Sequence, residues 1–124
     1  MPVLVILDTD IGLDVDDVWA LAFMLKCPEI DVKLITTNTG DTTYSARLVA
    51  KLLEIAGRTD IPVGVGIPLD PVARTHSAWL GDYQLGDYPG EVLIDGVGAV
   101  SDLARDSSEQ VAIVCIGPLA NIAA

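Results

Sequence analysis

Five aspartates, Asp8, Asp10, Asp14, Asp16 and Asp17, stand within ten residues directly behind the apolar run Val3-Leu4-Val5-Ile6-Leu7. Carboxylates at that density repel one another, and each tends to hold its proton unless a cation offsets the charge. A bound metal ion is the economical compensation. Asp and Gly also populate turns, and an Asp just before a helix often does no more than cap it, but that explanation absorbs one or two aspartates rather than five.

The acids need a scaffold, and the pattern around them supplies one. The apolar run has the length and β-branching of a buried strand, which puts the acids at its carboxyl end, where open α/β sheets place their ligand sites. Val18-Trp19-Ala20-Leu21-Ala22-Phe23-Met24-Leu25 is apolar nearly all round, as a helix pressed on a sheet is; Pro28 stops it and Asp16 is the expected N-cap. Residues 32–36 read as a second strand, Asn38-Thr39-Gly40-Asp41 as a turn, and 42–56 as a helix closed by Gly57, with Ala46, Val49, Ala50, Leu53, Ile55 and Ala56 facing the sheet. Residues 61–65 read as a short third strand, 95–105 as a loose helix, and 111–116 as a fourth, unbroken β-branched strand. Between the third strand and that helix, residues 68–90 read as a long functional loop carrying His76, Trp79, Tyr83 and Tyr88. The alternation predicts an α/β fold: one open, doubly wound, Rossmann-like parallel sheet with helices on both faces and right-handed crossovers.

Composition narrows the partners. At 124 residues the chain suits a single α/β domain over 1–124 with a real core. A formal net charge of -11, from 18 acids against 7 bases, repels phosphate backbones and anionic lipid, which argues against nucleic acid and membrane partners. No apolar stretch approaches the roughly 20 residues of a membrane span and no signal-like leader is visible, so a cytoplasmic protein is expected. Cys27 and Cys115 have no ligand-like spacing to each other or to His76, the single histidine, and are expected to be buried free thiols. The last segment, Gly117-Pro118-Leu119-Ala120-Asn121-Ile122-Ala123-Ala124, reads as a tight turn entering a helix; an apolar half-turn is an improbable domain end, so the domain is expected to be incomplete at its carboxyl end.

The acidic motif excludes some families. A calcium-binding EF-hand loop wants its third acid where Gly12 stands. A receiver domain wants an acceptor aspartate after the third strand, where Val63-Gly64-Val65-Gly66 offers none. Asp8-Thr9-Asp10 also resembles the opening of haloacid dehalogenase-like phosphatases, with Asp8 as nucleophile, but the later lysine and acidic motif have no clear match. Asp8-Thr9-Asp10-Ile11-Gly12 followed by Asp16-Asp17 and an apolar helix more closely resembles the Asp-x-Asp-Pro-Gly-x-Asp-Asp opening of the inosine-uridine preferring nucleoside hydrolases. Leu34-Ile35-Thr36-Thr37 running into Gly40-Asp41, Ala56-Gly57-Arg58 with Ile61-Pro62-Val63, and Cys115-Ile116-Gly117-Pro118-Leu119-Ala120-Asn121-Ile122-Ala123 resemble later segments of that family in the same order. Two departures stand out: Ile11 replaces a proline, and two extra residues separate Gly12 from the Asp-Asp pair, so that Asp14 competes with Asp16 for its role. Members of the family are also substantially longer than this chain.

That resemblance implies a calcium-dependent hydrolase of the N-glycosidic bond of a nucleoside or other ribosyl substrate. Asp10 and Asp17 map onto acidic calcium ligands and Ala120 onto the position whose backbone carbonyl completes the site, oxygen donors of the kind a hard cation prefers. Asp10 maps onto the general base that takes a proton from the attacking water, and Asp16 onto a ribose contact. Asp8, Asp14, Asn38 and Asp41 are expected to support these from behind or to form turns, while His76 and Trp79 fall where the family's loop approaches the nucleobase. The chain alone is expected to be weakly active or inactive. The alternatives are a non-catalytic fragment or assembly module, forming a homo-oligomer or pairing with a missing carboxyl-terminal portion, and the phosphatase.

Overall fold

The computed structural model describes residues 2–124 and contains one five-stranded, all-parallel sheet in the order β4-β3-β2-β1-β5. In chain order the elements are β1 (Val3–Thr9), α1 (Asp16–Lys26), β2 (Ile30–Thr37), α2 (Thr42–Ile55), β3 (Val63–Gly64), α3 (Ser77–Leu80), a 3-10 turn (Leu85–Asp87), β4 (Val92–Leu93), α4 (Gly96–Asp106), β5 (Val111–Cys115) and α5 (Ala120–Ala123). Among the described residues no helix is long and apolar enough to cross a membrane.

The central strands carry apolar residues on both faces because helices cover both. On one face Leu7, Val32, Ile35 and Val63 pack against Leu21 of α1 and against Ala46, Val49, Ala50 and Leu53 of α2. Each of the leucine, isoleucine and valine side chains contributes about 1.5–3 kcal/mol by leaving water. On the other face Leu34 and Thr36 flank the contact between Gly64 and Gly96, the first residue of α4, with α5 beside α4. From β1 to β4 the chain steps toward one edge; α4 then carries it back so that β5 pairs with the free side of β1. The loops leaving β1 and β5 therefore diverge to opposite faces. That divergence is a topological switch point, and the crevice it opens lies beyond the carboxyl ends of these two strands.

Several expectations are corrected. Val15, not Asp16, stands at the N-cap of α1; Asp16 is the first helical residue, and its carboxylate accepts from the Asp17 amide. Asp41 is a true cap, taking the Tyr44 amide at the start of α2. Ile55 faces solvent because it stands two residues, about 200° of helix rotation, past the buried Leu53, and Ala56 because it is the C-cap at which α2 ends. The strand over 111–116 is fifth rather than fourth, since two-residue β4, too short to show a periodicity, falls in the unassigned gap just after the stretch over 68–90 read as loop. The same stretch holds α3 and the 3-10 turn. Both cysteines are free, and both are only partly buried.

Candidate active site

The site is built at the end of β1, where alternate side chains point to opposite faces. Asp8 and Thr9 thereby serve different parts of it. Asp8 is fully buried on the α4 side, and both its oxygens are occupied: Thr36 Oγ1 donates at 2.7 Å, Asn38 Nδ2 at 2.8 Å and Asn121 Nδ2 at 2.8 Å. Asn121 in turn donates to the Thr37 carbonyl and accepts from the Ile67 amide, so one buried amide joins β1, β2, the chain beyond β3 and α5. Asp8 thus fixes the frame, and a nucleophilic role for it has no free oxygen to work with.

Thr9 points the other way. Its hydroxyl donates to Asp17 Oδ2 at 2.6 Å and accepts from the Ile11 amide, holding the buried Asp17 at the first turn of α1 toward the strand end. Asp10 follows, half-buried. Burial foremost, and then the neighbouring Asp17 carboxylate with a smaller push from Asp16, raises the Asp10 carboxyl to about 7. The far wall is Gly117, just past β5: a Cβ there would lie 2.9 Å from Asp10 Cγ and 2.7 Å from Asn38 Oδ1, so only glycine lets the two strand ends approach.

The two carboxylates fit a hard cation. They are oxygen donors pushed together in a partly desolvated cleft, where a cation would offset their mutual repulsion. Among the described residues no group of three His, Cys, Asp or Glu side chains converges, so Asp10 and Asp17 supply two charges and the remaining donors would be backbone or water. Ala120 opens α5 immediately before Asn121, on the β5 side of the crevice. Asp16 lies exposed at the lip.

The remaining predicted residues are distributed around this centre. Asn38 is buried against Asp8; Asp41 caps α2 and pairs with Arg74. Asp14 is exposed on the turn before α1. A small cleft lined by Asp10, Gly12, Thr39, Asp41, Tyr44 and Arg74 opens beside the carboxylates. Thr39, on its rim, has φ of 66°, a conformation that strains a β-branched residue. His76 and Trp79 sit apart: they line an apolar cavity of about 190 Å3 with Ile11, Val15, Val18 and Leu48, between α1 and α2, with neither Asp10 nor Asp17 in its wall.

Thr9, Thr36 and Asn121 organise the site, yet sequence reasoning gave none of them a role. The available signal was the Thr between two aspartates on a strand, whose alternation must send its hydroxyl to the helix side.

A family model described as inosine-uridine preferring nucleoside hydrolase matches residues 5–124. The chain is 33% identical to a probable uridine nucleosidase 2 of Arabidopsis thaliana over 96% of its own length and 40% of the relative's. It is 34% identical to a pyrimidine-specific ribonucleoside hydrolase of Escherichia coli, with 96% and 41% covered. A solved plant nucleoside hydrolase superposes with a TM-score of 0.76 at 33% identity, covering 99% of this chain and 42% of that one. The chain therefore spans about 40% of the length of the curated relatives it matches.

Proposed function

The chain belongs to the inosine-uridine preferring nucleoside hydrolase family, and from that premise we propose that it serves calcium-dependent hydrolysis of a nucleoside's N-glycosidic bond to base and ribose. The observation that carries the proposal is the Asp10–Asp17 pair at the switch point, with the Asp10 carboxyl raised to about 7. Calcium bound there, with the Ala120 carbonyl as a further donor, would supply positive charge and a water of lowered pKa.

The chain's own residues do the rest. Asp10 accepts the proton of the water that attacks the anomeric carbon. Asp17, fixed by the Thr9 hydroxyl, keeps its second oxygen for the cation. Asp16, at the lip, takes a ribose hydroxyl. As the base departs, the sugar gains oxocarbenium character, and the carboxylates facing it stabilise that charge. Asp8 and Asn38 hold the strand ends, Asp41 the start of α2 and Asp14 the turn, while His76 and Trp79, which line the separate apolar cavity, take no part in the step. With only two carboxylates brought together, turnover is expected to be slow. Both relatives described above are named for uridine or pyrimidine substrates, so uridine is the first substrate to try. Incubation with uridine and millimolar calcium should release ribose slowly, and Asp10→Asn should abolish it. Release that a calcium chelator leaves unchanged contradicts the reading.

Self-association is a second reading, favoured by Trp19 and Phe23, which stand 70% and 68% exposed on the outer face of α1. Sedimentation tests it: a clean monomer at high concentration contradicts it.

A further inference from the structure

The turn that departs from the family pattern, with two extra residues between Gly12 and the Asp-Asp pair, is held by an unusual set of bonds. Four consecutive backbone carbonyls each meet a partner. Ser45 Oγ donates to the Ile11 carbonyl at 2.7 Å. Tyr44 Oη, at 3.3 Å, and the Thr75 amide, at 3.2 Å, both donate to that of Gly12. Thr75 Oγ1 donates to that of Leu13, and His76 Nε2 lies 3.4 Å from that of Asp14. The Tyr44 hydroxyl also accepts from the His76 amide at 3.1 Å, so one oxygen joins both segments. Its ring packs on Gly12, where φ is 122° and a Cβ would fall 2.8 Å from Tyr44 Cε2.

The segment that reaches this turn is itself gripped from α2. Arg74 pairs with Asp41 and lies over the Tyr44 ring, Lys51 donates to the Trp79 and Leu80 carbonyls, and Arg47 Nε donates to the Tyr83 carbonyl at 2.7 Å. In a chain with only 7 basic residues, three are spent on this row.

We infer that Tyr44 and Thr75 are positioning residues: they lock the turn to the segment that follows β3 and so set where Asp16 and Asp17 stand relative to Asp10. With its carbonyls engaged away from the cleft, the lengthened turn cannot collapse onto Asp10, and its acids are presented by α1 rather than by a mobile loop. The role toward the cation rests on the proposed calcium site; the lock itself does not.

The test uses Tyr44→Phe, which keeps the ring, and Thr75→Val at an exposed position, with Tyr88→Phe as a control that deletes a buried hydroxyl bonded to Ile61 elsewhere. Amide exchange by NMR on metal-free protein should be about three- to tenfold faster at His76 in Tyr44→Phe, the factor one net hydrogen bond supports. Calcium dissociation constants from calorimetry should weaken by a similar factor, about three- to tenfold, in Tyr44→Phe and Thr75→Val and stay unchanged in Tyr88→Phe. Exchange and affinity within about twofold of the original chain in both variants, or equal weakening in the control, overturns the inference. If the original chain binds no calcium, the cation reading falls, and exchange at His76 alone decides the lock: faster upholds it, unchanged overturns it.

Discussion

Replacing Asp8 separates a frame residue from a reacting one, and the structure sets the size of the effect. Its carboxylate accepts three hydrogen bonds in a site without solvent. Asp8→Ala leaves the Thr36 hydroxyl and the Asn38 Nδ2 atom with no partner, while Asn121 Nδ2 loses one of its two bonds and keeps the one to the Thr37 carbonyl. Two stranded buried donors at about 1–3 kcal/mol each put the loss near 3–5 kcal/mol. Asp8→Asn keeps an oxygen toward Thr36 and Asn121 but turns an amide toward the Asn38 amide, donor against donor, for about 2 kcal/mol. Against a total stability of about 5–15 kcal/mol, the alanine variant should be partly unfolded at modest urea and the asparagine variant intermediate. Urea unfolding at neutral pH, followed by circular dichroism and extrapolated linearly, measures both. Asp8→Asn within about 0.5 kcal/mol of the original, or Asp8→Ala the more stable of the two, would refute the hub.

Other outcomes follow from the same geometry. Thr9→Val removes the hydroxyl that fixes Asp17 and should weaken calcium binding about five- to tenfold while costing about 1–3 kcal/mol, read by calorimetry and urea. For Asp10, the folded pKa of about 7 stands above the ordinary carboxyl value of 3.8, so the folded form holds its proton more tightly. Its contribution is therefore fully present below the lower value and lost as pH rises through the upper. The urea midpoint of metal-free protein should fall between pH 4 and 7 by more than that of Asp10→Asn; parallel profiles would contradict the assignment. Thr39→Asn suits the left-handed backbone and should raise stability by about 0.5–1 kcal/mol, visible as a higher thermal midpoint.

The strand-helix alternation was legible because β1 and β5 carry continuous apolar runs, β2 ends in the largely β-branched stretch Leu34-Ile35-Thr36-Thr37, and α2 shows a clear sheet-facing stripe in Ala46, Val49, Ala50 and Leu53. The aspartate motif and the Gly117-Pro118 turn located the switch point. Val92–Leu93 escaped because its assignment depends on pairing with β3 alone, and Asp16 was misplaced by one residue because no side chain caps α1. The supporting bonds escaped for a different reason. Thr36, Asn38 and Asn121 meet at Asp8 from positions 28, 30 and 113 residues away, separations that local pattern does not encode. The lock on the turn likewise depends on Thr75 and His76, whose partners lie 62 to 63 residues earlier, in a stretch whose composition says only loop.

The central claim is that Asp10 and Asp17 form a calcium site, and titration calorimetry of metal-free protein with calcium tests it most directly. With two carboxylates, the expected dissociation constant is on the order of 10⁻⁴ to 10⁻³ M. Asp10→Asn and Asp17→Asn should each remove the binding heat, while Glu109→Gln, an exposed acid distant in sequence from the pair, should leave it intact. No binding by the original chain at millimolar calcium, or binding that survives both substitutions, would contradict the account.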